Sequence, residues 1–217
     1  MSDEGTGRDS GNSTGKPLLK VTVFSDYICP FCYIGELRLN HLREHYDLRV
    51  NWCAIEIHPE TDPGGEPVTA LGYDNSRWLS MMASLNEMAA DEGVTLKEHN
   101  FTTNSHSALL LAEASKMLGR DVFYRLHQSL FEAFFVDGVN IGDRTLLEDL
   151  AHQAGMNDSQ IIAAWEEKAA SDKLAQYRKA ALELGVQATP TFFIGEKRLD
   201  GAVPYAQLLD AARAAAA

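Results

Sequence analysis

Residues 27–35 read Tyr27-Ile28-Cys29-Pro30-Phe31-Cys32-Tyr33-Ile34-Gly35, two cysteines bracketing a Pro-Phe pair. Such a pair is a redox couple, half of a metal site, or two small core thiols, and its surroundings decide which. Upstream, residues 18–24 (Leu-Leu-Lys-Val-Thr-Val-Phe) are short, apolar and rich in β-branched side chains, which reads as a buried strand ended by Ser25-Asp26. Pro30 suits the first turn of a helix, where its missing N–H costs nothing. Phe31, Ile34, Leu37, Leu39 and Leu42 then keep a helical rhythm as far as Tyr46. A second strand over 48–57 alternates in part through Leu48, Val50 and Trp52, then Ile55 and Ile57. Strand, helix and strand within residues 18–57 form a parallel βαβ unit.

Residues 58–67 hold three prolines and two glycines and read as a loop. Helical patterns follow over 77–92, 105–118, 121–135, 143–155 and 158–184, the last as one long helix or two. Trp78, Met81, Met82, Leu85 and Met88 recur at helical spacing and read as core packing. The period then shortens again: a strand over 191–194, a turn, a partner strand at 198–200, and a last helix over 204–215 that opens on Pro204. This order predicts an α/β protein, a thioredoxin fold with an inserted helical domain. Its parts are a disordered tail (1–17), a first thioredoxin half (18–65), the helical insertion (66–157) and a second half (158–217).

The net charge of −12 argues against nucleic acid and anionic membrane surfaces, and no run of Lys or Arg offsets it. No apolar stretch approaches the roughly 18 residues that a membrane span needs. The first seventeen residues are polar and Gly/Ser-rich without an apolar segment, unlike a secretory signal. A cytoplasmic, reducing setting is therefore expected, where three cysteines do not form a structural disulfide framework.

A zinc site needs about four ligands. Cys53 is the remaining cysteine, and His41 and His45, four residues apart on the first helix, lie turns away from the pair. Two inert core thiols fit poorly with a helix that begins inside the motif. A redox couple fits best: Cys29 at the amino end of a helix meets free N–H groups and the positive dipole end, which stabilise a thiolate. Cys32, one turn on, is within disulfide reach and less exposed. Cys29 is then the nucleophile and Cys32 the resolving thiol, with Pro30-Phe31 tuning the poise. Further along, Ala188-Thr189-Pro190-Thr191 precedes a strand, where a proline removes a ladder donor. A cis Thr189–Pro190 bond beside Cys29 would leave the Thr189 backbone to pair with an extended substrate, so Pro30, Phe31, Thr189 and Pro190 are candidate substrate contacts.

Several motifs carry a family resemblance. Ser25 through Gly35 resembles the active-site opening of the DsbA-like thioredoxin-fold family, and more narrowly its FrnE-type branch of cytosolic dithiol–disulfide isomerases. Ile55-Glu56-Ile57-His58-Pro59-Glu60, Asn104-Ser105-His106-Ser107-Ala108 and Gly185-Val186-Gln187-Ala188-Thr189-Pro190-Thr191-Phe192 continue it, over residues 18 to 213. Thr189 and Ala188 depart from the branch's usual Val and Gly. The resemblance implies thiol–disulfide exchange through Cys-Pro-Phe-Cys on a protein or small-molecule disulfide. No metal or organic cofactor is implied, and glutathione is a candidate co-substrate. The same scaffold hosts 2-hydroxychromene-2-carboxylate isomerases and kappa-class glutathione transferases, which is the alternative reading; those carry Ser where this chain has Cys29. Asp26, Asn104 and His106 are candidate modulators: Asp26 as a cap, a proton relay or a like charge, Asn104 as a helix cap, His106 as a charge facing the cleft near Cys29. Tyr27, Phe31 and Tyr33 form a candidate apolar lip, with Phe31 exposed and Tyr33 in the core. Cys53 reads as a buried inert thiol, and Lys197 and Arg198 as solvated charges of a turn.

Overall fold

β1 (Leu18–Ser25) alternates Leu19, Val21 and Val23 into the core, each at most 2% exposed. It is the inner strand on which the computed structural model is built, a model that describes residues 15–98 and 100–216. α1 (Pro30–Asn40) and a 3-10 turn (His41–Glu44) lead to β2 (Asp47–Ala54), which pairs parallel with β1 from Leu18↔Asp47 to Ser25↔Ala54. On the other side of β1 lies antiparallel β5 (Thr191–Ile194), followed by antiparallel β6 (Lys197–Asp200), giving the order β2-β1-β5-β6. α2 (Asn75–Asp91), α3 (His106–Ser115), α4 (Arg120–Glu132), α5 (Arg144–Ala154), α6 (Asp158–Glu166) and α7 (Lys168–Glu183) fill the chain between β2 and β5, and α8 (Tyr205–Ala216) closes it. This is the thioredoxin fold with a helical insertion.

One apolar cluster joins the sheet to the helices. Val21, Val23 and Phe192 from the sheet, Leu39 from α1 and Leu208 from α8 share it with Leu109, Leu126, Leu130, Phe131 and Leu147 from α3, α4 and α5. Each such side chain contributes about 1.5–3 kcal/mol on burial. Phe24, Cys53, Tyr177 and Ala181 form a second cluster that seats α7, and Ile34, Leu85, Ala89 and Ala202 a third that ties α1 to α2.

The second strand ends earlier than its alternation predicts. Ile55 still donates to the Ser25 carbonyl at 3.0 Å, but the Ile57 N–H turns to the Asp26 carboxylate at 2.8 Å, so the chain leaves the ladder there. The first helix is likewise shorter, because its last residues tighten into the 3-10 turn before β2. The loop over 58–67 ends in β3 (Glu66–Pro67), which pairs with β4 (Phe101–Thr102) in a two-stranded sheet that the sequence reading misses. The Pro63 carbonyl anchors that loop, accepting from Asn140 Nδ2 at 2.8 Å and Thr103 Oγ1 at 3.1 Å. The stretch 158–184 is two helices, broken at Glu167, whose backbone is extended (φ −86°, ψ 147°), and α6 opens on an Asn157–Gln160 capping box. Of the expected tail, residues 1–14 lie outside the described residues, while the Pro17 carbonyl already accepts the Asp47 N–H at 2.9 Å.

Candidate active site

The strand β1 delivers Ser25 and Asp26 to the sheet's carboxyl end, and Pro30 starts α1 immediately after Cys29. Cys29 is the helix N-cap, with extended backbone (φ −91°, ψ 111°) and a carbonyl that accepts the Cys32 N–H at 3.0 Å. A cysteine at this position lies beside the unpaired donors of the first turn. Both cysteines are free thiols and both are buried, Cys29 with 5% of its surface exposed and Cys32 with 1%, so Cys29 is the nearer of the two to solvent.

The two thiols are pulled in opposite directions. A hydrogen bond from the Cys32 thiol lowers the Cys29 pKa most, aided by Thr189 and the Cys32 N–H, against burial and the Asp26 charge. Burial pushes the Cys32 thiol well above its ordinary value, and the neighbouring Cys29 adds to that. The pair therefore concentrates anionic character on one sulfur.

The Thr189–Pro190 bond is cis, as expected. The Cys29 thiol donates to the Thr189 carbonyl at 3.4 Å, which joins the motif to the cis-proline loop across 160 residues. The Thr189 N–H has no partner among the described residues and stays available to a visitor. Thr191 Oγ1 donates to the Ala188 carbonyl and to Asp200, each at 2.8 Å, and the Pro190 carbonyl accepts the Gly201 N–H at 2.7 Å, so both ends of this loop are held. Gly35 brings α1 against the loop: a Cβ there would stand 2.9 Å from both Pro190 Cγ and Phe192 Cζ.

Asp26 lies under the couple, 1% exposed. Its carboxylate accepts the Ile57 N–H at 2.8 Å and the Ile28 N–H at 3.4 Å. Burial still wins, raising its pKa to about 6 against the pull of Ile57, Ser105 and Ile28. It caps no helix; it ties the motif to the chain beyond β2.

Other expected site residues go elsewhere. His106 is exposed and sits 3.0 Å from Glu56, which raises its pKa; the groups bearing on the Cys29 thiol are Cys32, Thr189 and Asp26, not His106. Asn104 precedes the N-cap by one residue, yet its Oδ1 accepts the His106 N–H at 2.8 Å and its Nδ2 donates to the Pro59 carbonyl at 2.9 Å. Pro30 and Phe31 are half-buried, Phe31 because it packs on the α1–α2 cluster instead of standing free. Tyr27 is buried and no part of a lip, and Tyr33 is core as expected. Cys53 is buried, its pKa pushed up to about 11 by that burial. Arg198 is no free turn charge: it pairs with Asp200 at 3.0 Å and donates to the carbonyls of Leu184 and Gly185, each at 2.9 Å.

The sequence reading also misses His127 on α4. Its Nδ1 meets the Tyr27 hydroxyl at 2.7 Å, and its Nε2 faces the Glu36 carboxylate at 3.4 Å without hydrogen-bond alignment. Tyr27 and Glu36 flank the cysteines in sequence, so a helical-domain residue braces both sides of the motif. No sequence signal pointed to it, because histidine on a buried helix face has no periodicity of its own. Gly35 did leave a signal, since a glycine inside a helix costs about 1 kcal/mol and usually marks close packing.

A thiol at a helix amino end, a second thiol one turn back and a cis-proline loop beside them define a dithiol site on a thioredoxin fold. The family description "DSBA-like thioredoxin domain" matches residues 20–213, and the chain belongs to that family. It is 29% identical to the uncharacterized protein YwbO of Bacillus subtilis over 84% of this chain and 90% of that one. Among solved structures it is similar to a probable DsbA oxidoreductase, SCO1869 of Streptomyces coelicolor, with TM-score 0.80, 22% identity and coverage of 91% and 89%. It is also similar in fold to the cytosolic disulfide reductase DsbM of Pseudomonas aeruginosa with GSH, with TM-score 0.63, 16% identity and coverage of 91% and 96%. The family's chemistry is thiol–disulfide oxidoreduction and isomerisation. No helix among the described residues is long and apolar enough to cross a membrane.

Proposed function

We propose that the chain is a dithiol–disulfide oxidoreductase or isomerase of the FrnE type, with Cys29 as nucleophile and Cys32 as resolving thiol. The observation that carries this is the Cys29 thiol, lowered in pKa at the start of α1 and 3.4 Å from the carbonyl ahead of the cis proline. The Cys29 thiolate attacks one sulfur of a substrate disulfide; a Cys29–substrate S–S bond forms, the substrate S–S bond breaks, and the other substrate sulfur leaves as a thiolate. Cys32 then loses its proton and attacks the Cys29 sulfur, which expels the second substrate thiolate. Two electrons have passed to the substrate and the protein holds a Cys29–Cys32 disulfide. Asp26, buried and with its pKa raised to about 6, is the candidate acceptor for the Cys32 proton, and its charge opposes that of the Cys29 thiolate until the disulfide forms. An extended substrate pairs with the Thr189 N–H, while Pro30, Phe31 and Pro190 shape the contact. An external thiol returns the couple to the reduced form, and glutathione is the candidate: it accompanies DsbM, whose cytosolic setting also supports a cytoplasmic site of action.

The rival reading, a glutathione-dependent isomerase or transferase, needs a group that binds glutathione's thiolate without joining it. In this proposal Cys29 instead exchanges with oxidised glutathione, releasing one glutathione thiolate as the mixed disulfide forms, and Cys32 then displaces the other. The test is trapping. With oxidised glutathione, Cys32→Ser should accumulate one glutathione adduct on Cys29 by mass spectrometry, the unsubstituted protein should pass on to an internal disulfide, and Cys29→Ser should give neither while remaining folded. Exchange that survives Cys29→Ser, or glutathione that saturates the site with no change of mass, sinks the proposal.

A further inference from the structure

A cavity of about 310 Å³ opens beside β2, away from the dithiol, and the charged residues that line it are Arg49, Lys116 and Arg120. No carboxylate lines it, on a chain whose net charge is −12. β2 is an edge strand. Its Asp47 N–H pairs with the Pro17 carbonyl just before β1, and the Ile55 N–H beyond β2 with the Ser25 carbonyl of β1. The alternate residues Leu48, Val50 and Trp52 therefore turn N–H and C=O outward. Arg43 caps the Leu48 carbonyl at 3.2 Å and Lys116 caps the Trp52 carbonyl at 2.6 Å. Long cations on an edge discourage unwanted strand pairing, and that accounts for both caps. It leaves the N–H and C=O of Val50, between them, without a partner among the described residues, at the wall of the cavity. The cations around it are unequally satisfied: Arg49 pairs with Asp47 at 3.0 Å and Lys116 with Glu113, whereas Arg120 lies over the Tyr124 ring, 5.6 Å from its centre, with no carboxylate partner among the described residues.

We propose that this edge is a docking site for an acidic, extended segment of another protein, separate from the dithiol. One residue of the segment pairs with both backbone groups of Val50, as an added strand does. Its alternate side chains fall on either side of the strand, where glutamate or aspartate meets Arg120 and Arg49 and apolar residues meet the Tyr124 and Trp52 rings. The complementarity is local: the body of the molecule repels acidic partners, and this groove is where one is accepted, with an affinity that falls as salt rises.

The test uses the full chain and a blocked, fluorescently labelled hexapeptide alternating glutamate and valine, read by anisotropy at low salt, with a lysine-for-glutamate peptide as control. The acidic peptide should bind, the basic one should not, and amide exchange at Val50 should slow on binding. Arg120→Glu should weaken binding about tenfold or more, the scale of one lost and reversed charge contact, while oxidised-glutathione reduction by the dithiol continues at its normal rate. Val50→Pro should abolish binding, since its N–H faces outward and the inner ladder is untouched; if that variant fails to fold, Arg120→Glu decides alone. The proposal falls if the acidic peptide fails to bind at millimolar concentration, if both peptides bind alike, or if Arg120→Glu binds as well as the unsubstituted chain. It falls too if glutarate competes fully and the Val50 amide gains no protection, because the occupant is then a small anion.

Discussion

Replacing Cys32 with alanine and with serine should have different consequences for Cys29, because the Cys32 side-chain hydrogen bond is the largest influence lowering the Cys29 pKa and burial is the opposing one. Cys32→Ala removes the donor and leaves burial, so the Cys29 pKa should rise; Cys32→Ser keeps a hydroxyl donor and should hold it lower. The pH profile of iodoacetamide alkylation at Cys29, followed by peptide mass spectrometry because both variants also keep the buried Cys53, reads this directly, and coincident profiles would show the helix end alone to be responsible. Asp26 gives a second residue-scale test. Its folded pKa is about 6 against an ordinary 3.8, so keeping it charged costs stability. The cost is fully present above pH 6 and vanishes below pH 4, where the carboxyl is protonated in both states. At 1.36 kcal/mol per unit it is about 3 kcal/mol. Asp26→Asn should therefore be more stable than the unsubstituted chain by up to that amount at neutral pH, with the difference closing toward pH 4, as measured by urea denaturation. A variant that is less stable at both pH values would mean that the Ile57 and Ile28 hydrogen bonds outweigh the burial.

At the scale of elements, the placement of α1 on β5 rests on Gly35. Gly35→Ala drives a methyl to 2.9 Å from Pro190 and Phe192, both of which are buried, so either the helix or the loop must move. Overpacking of this kind costs about 1–3 kcal/mol. It should also slow disulfide exchange out of proportion to the lost stability, since it shifts Thr189 relative to Cys29; thermal melts and turnover on the same preparation separate the two effects. β1, α1, β5, β6 and α8 were legible in the sequence because each carries a local signal: alternation, a proline at a helix start, a strand–turn–strand. The cis-proline loop beside Cys29 was legible from the element order. What escaped depended on long-range pairing. β3 and β4 are two residues each, too short for any period, and exist because Pro63 is pinned by Asn140 and Thr103. β2 kept its alternation through Ile57, but the Asp26 carboxylate claims that residue's N–H and ends the strand. Phe31 read as exposed because it borders the motif, while α2, far along the chain, supplies the surface that half-covers it.

At the scale of the molecule, the largest apolar cluster among the described residues runs through both the sheet and the inserted helices. Residues 66–157 read in sequence as an insertion, yet Leu126, Leu130 and Phe131 of α4, each fully buried, pack in the same cluster as Val21, Val23 and Trp52 of the sheet. Phe131 stacks on Tyr33 at 5.5 Å and meets Tyr27 edge-on at 4.8 Å, and Trp52 lies 4.4 Å from the His127 ring. An insertion that folded separately would bury its own core and meet the thioredoxin half through a thinner, more polar contact. Chains beyond about 150 residues often unfold through intermediates, so the two arrangements make different forecasts here. With a shared core, far-ultraviolet circular dichroism and the fluorescence of Trp52, isolated by Trp78→Phe and Trp165→Phe, should report one superimposable urea transition, Trp52 sensing the junction and the dichroism the helices. Leu126→Ala, a truncation of an α4 side chain, should then lower the midpoint by the same amount for both probes, with a loss of about 2–5 kcal/mol. Transitions that separate on this substitution, with the dichroism shifting and Trp52 unmoved, would show that the helices fold apart from the sheet, and the brace that His127 places on the cysteine motif would then be a docking contact between two folded units.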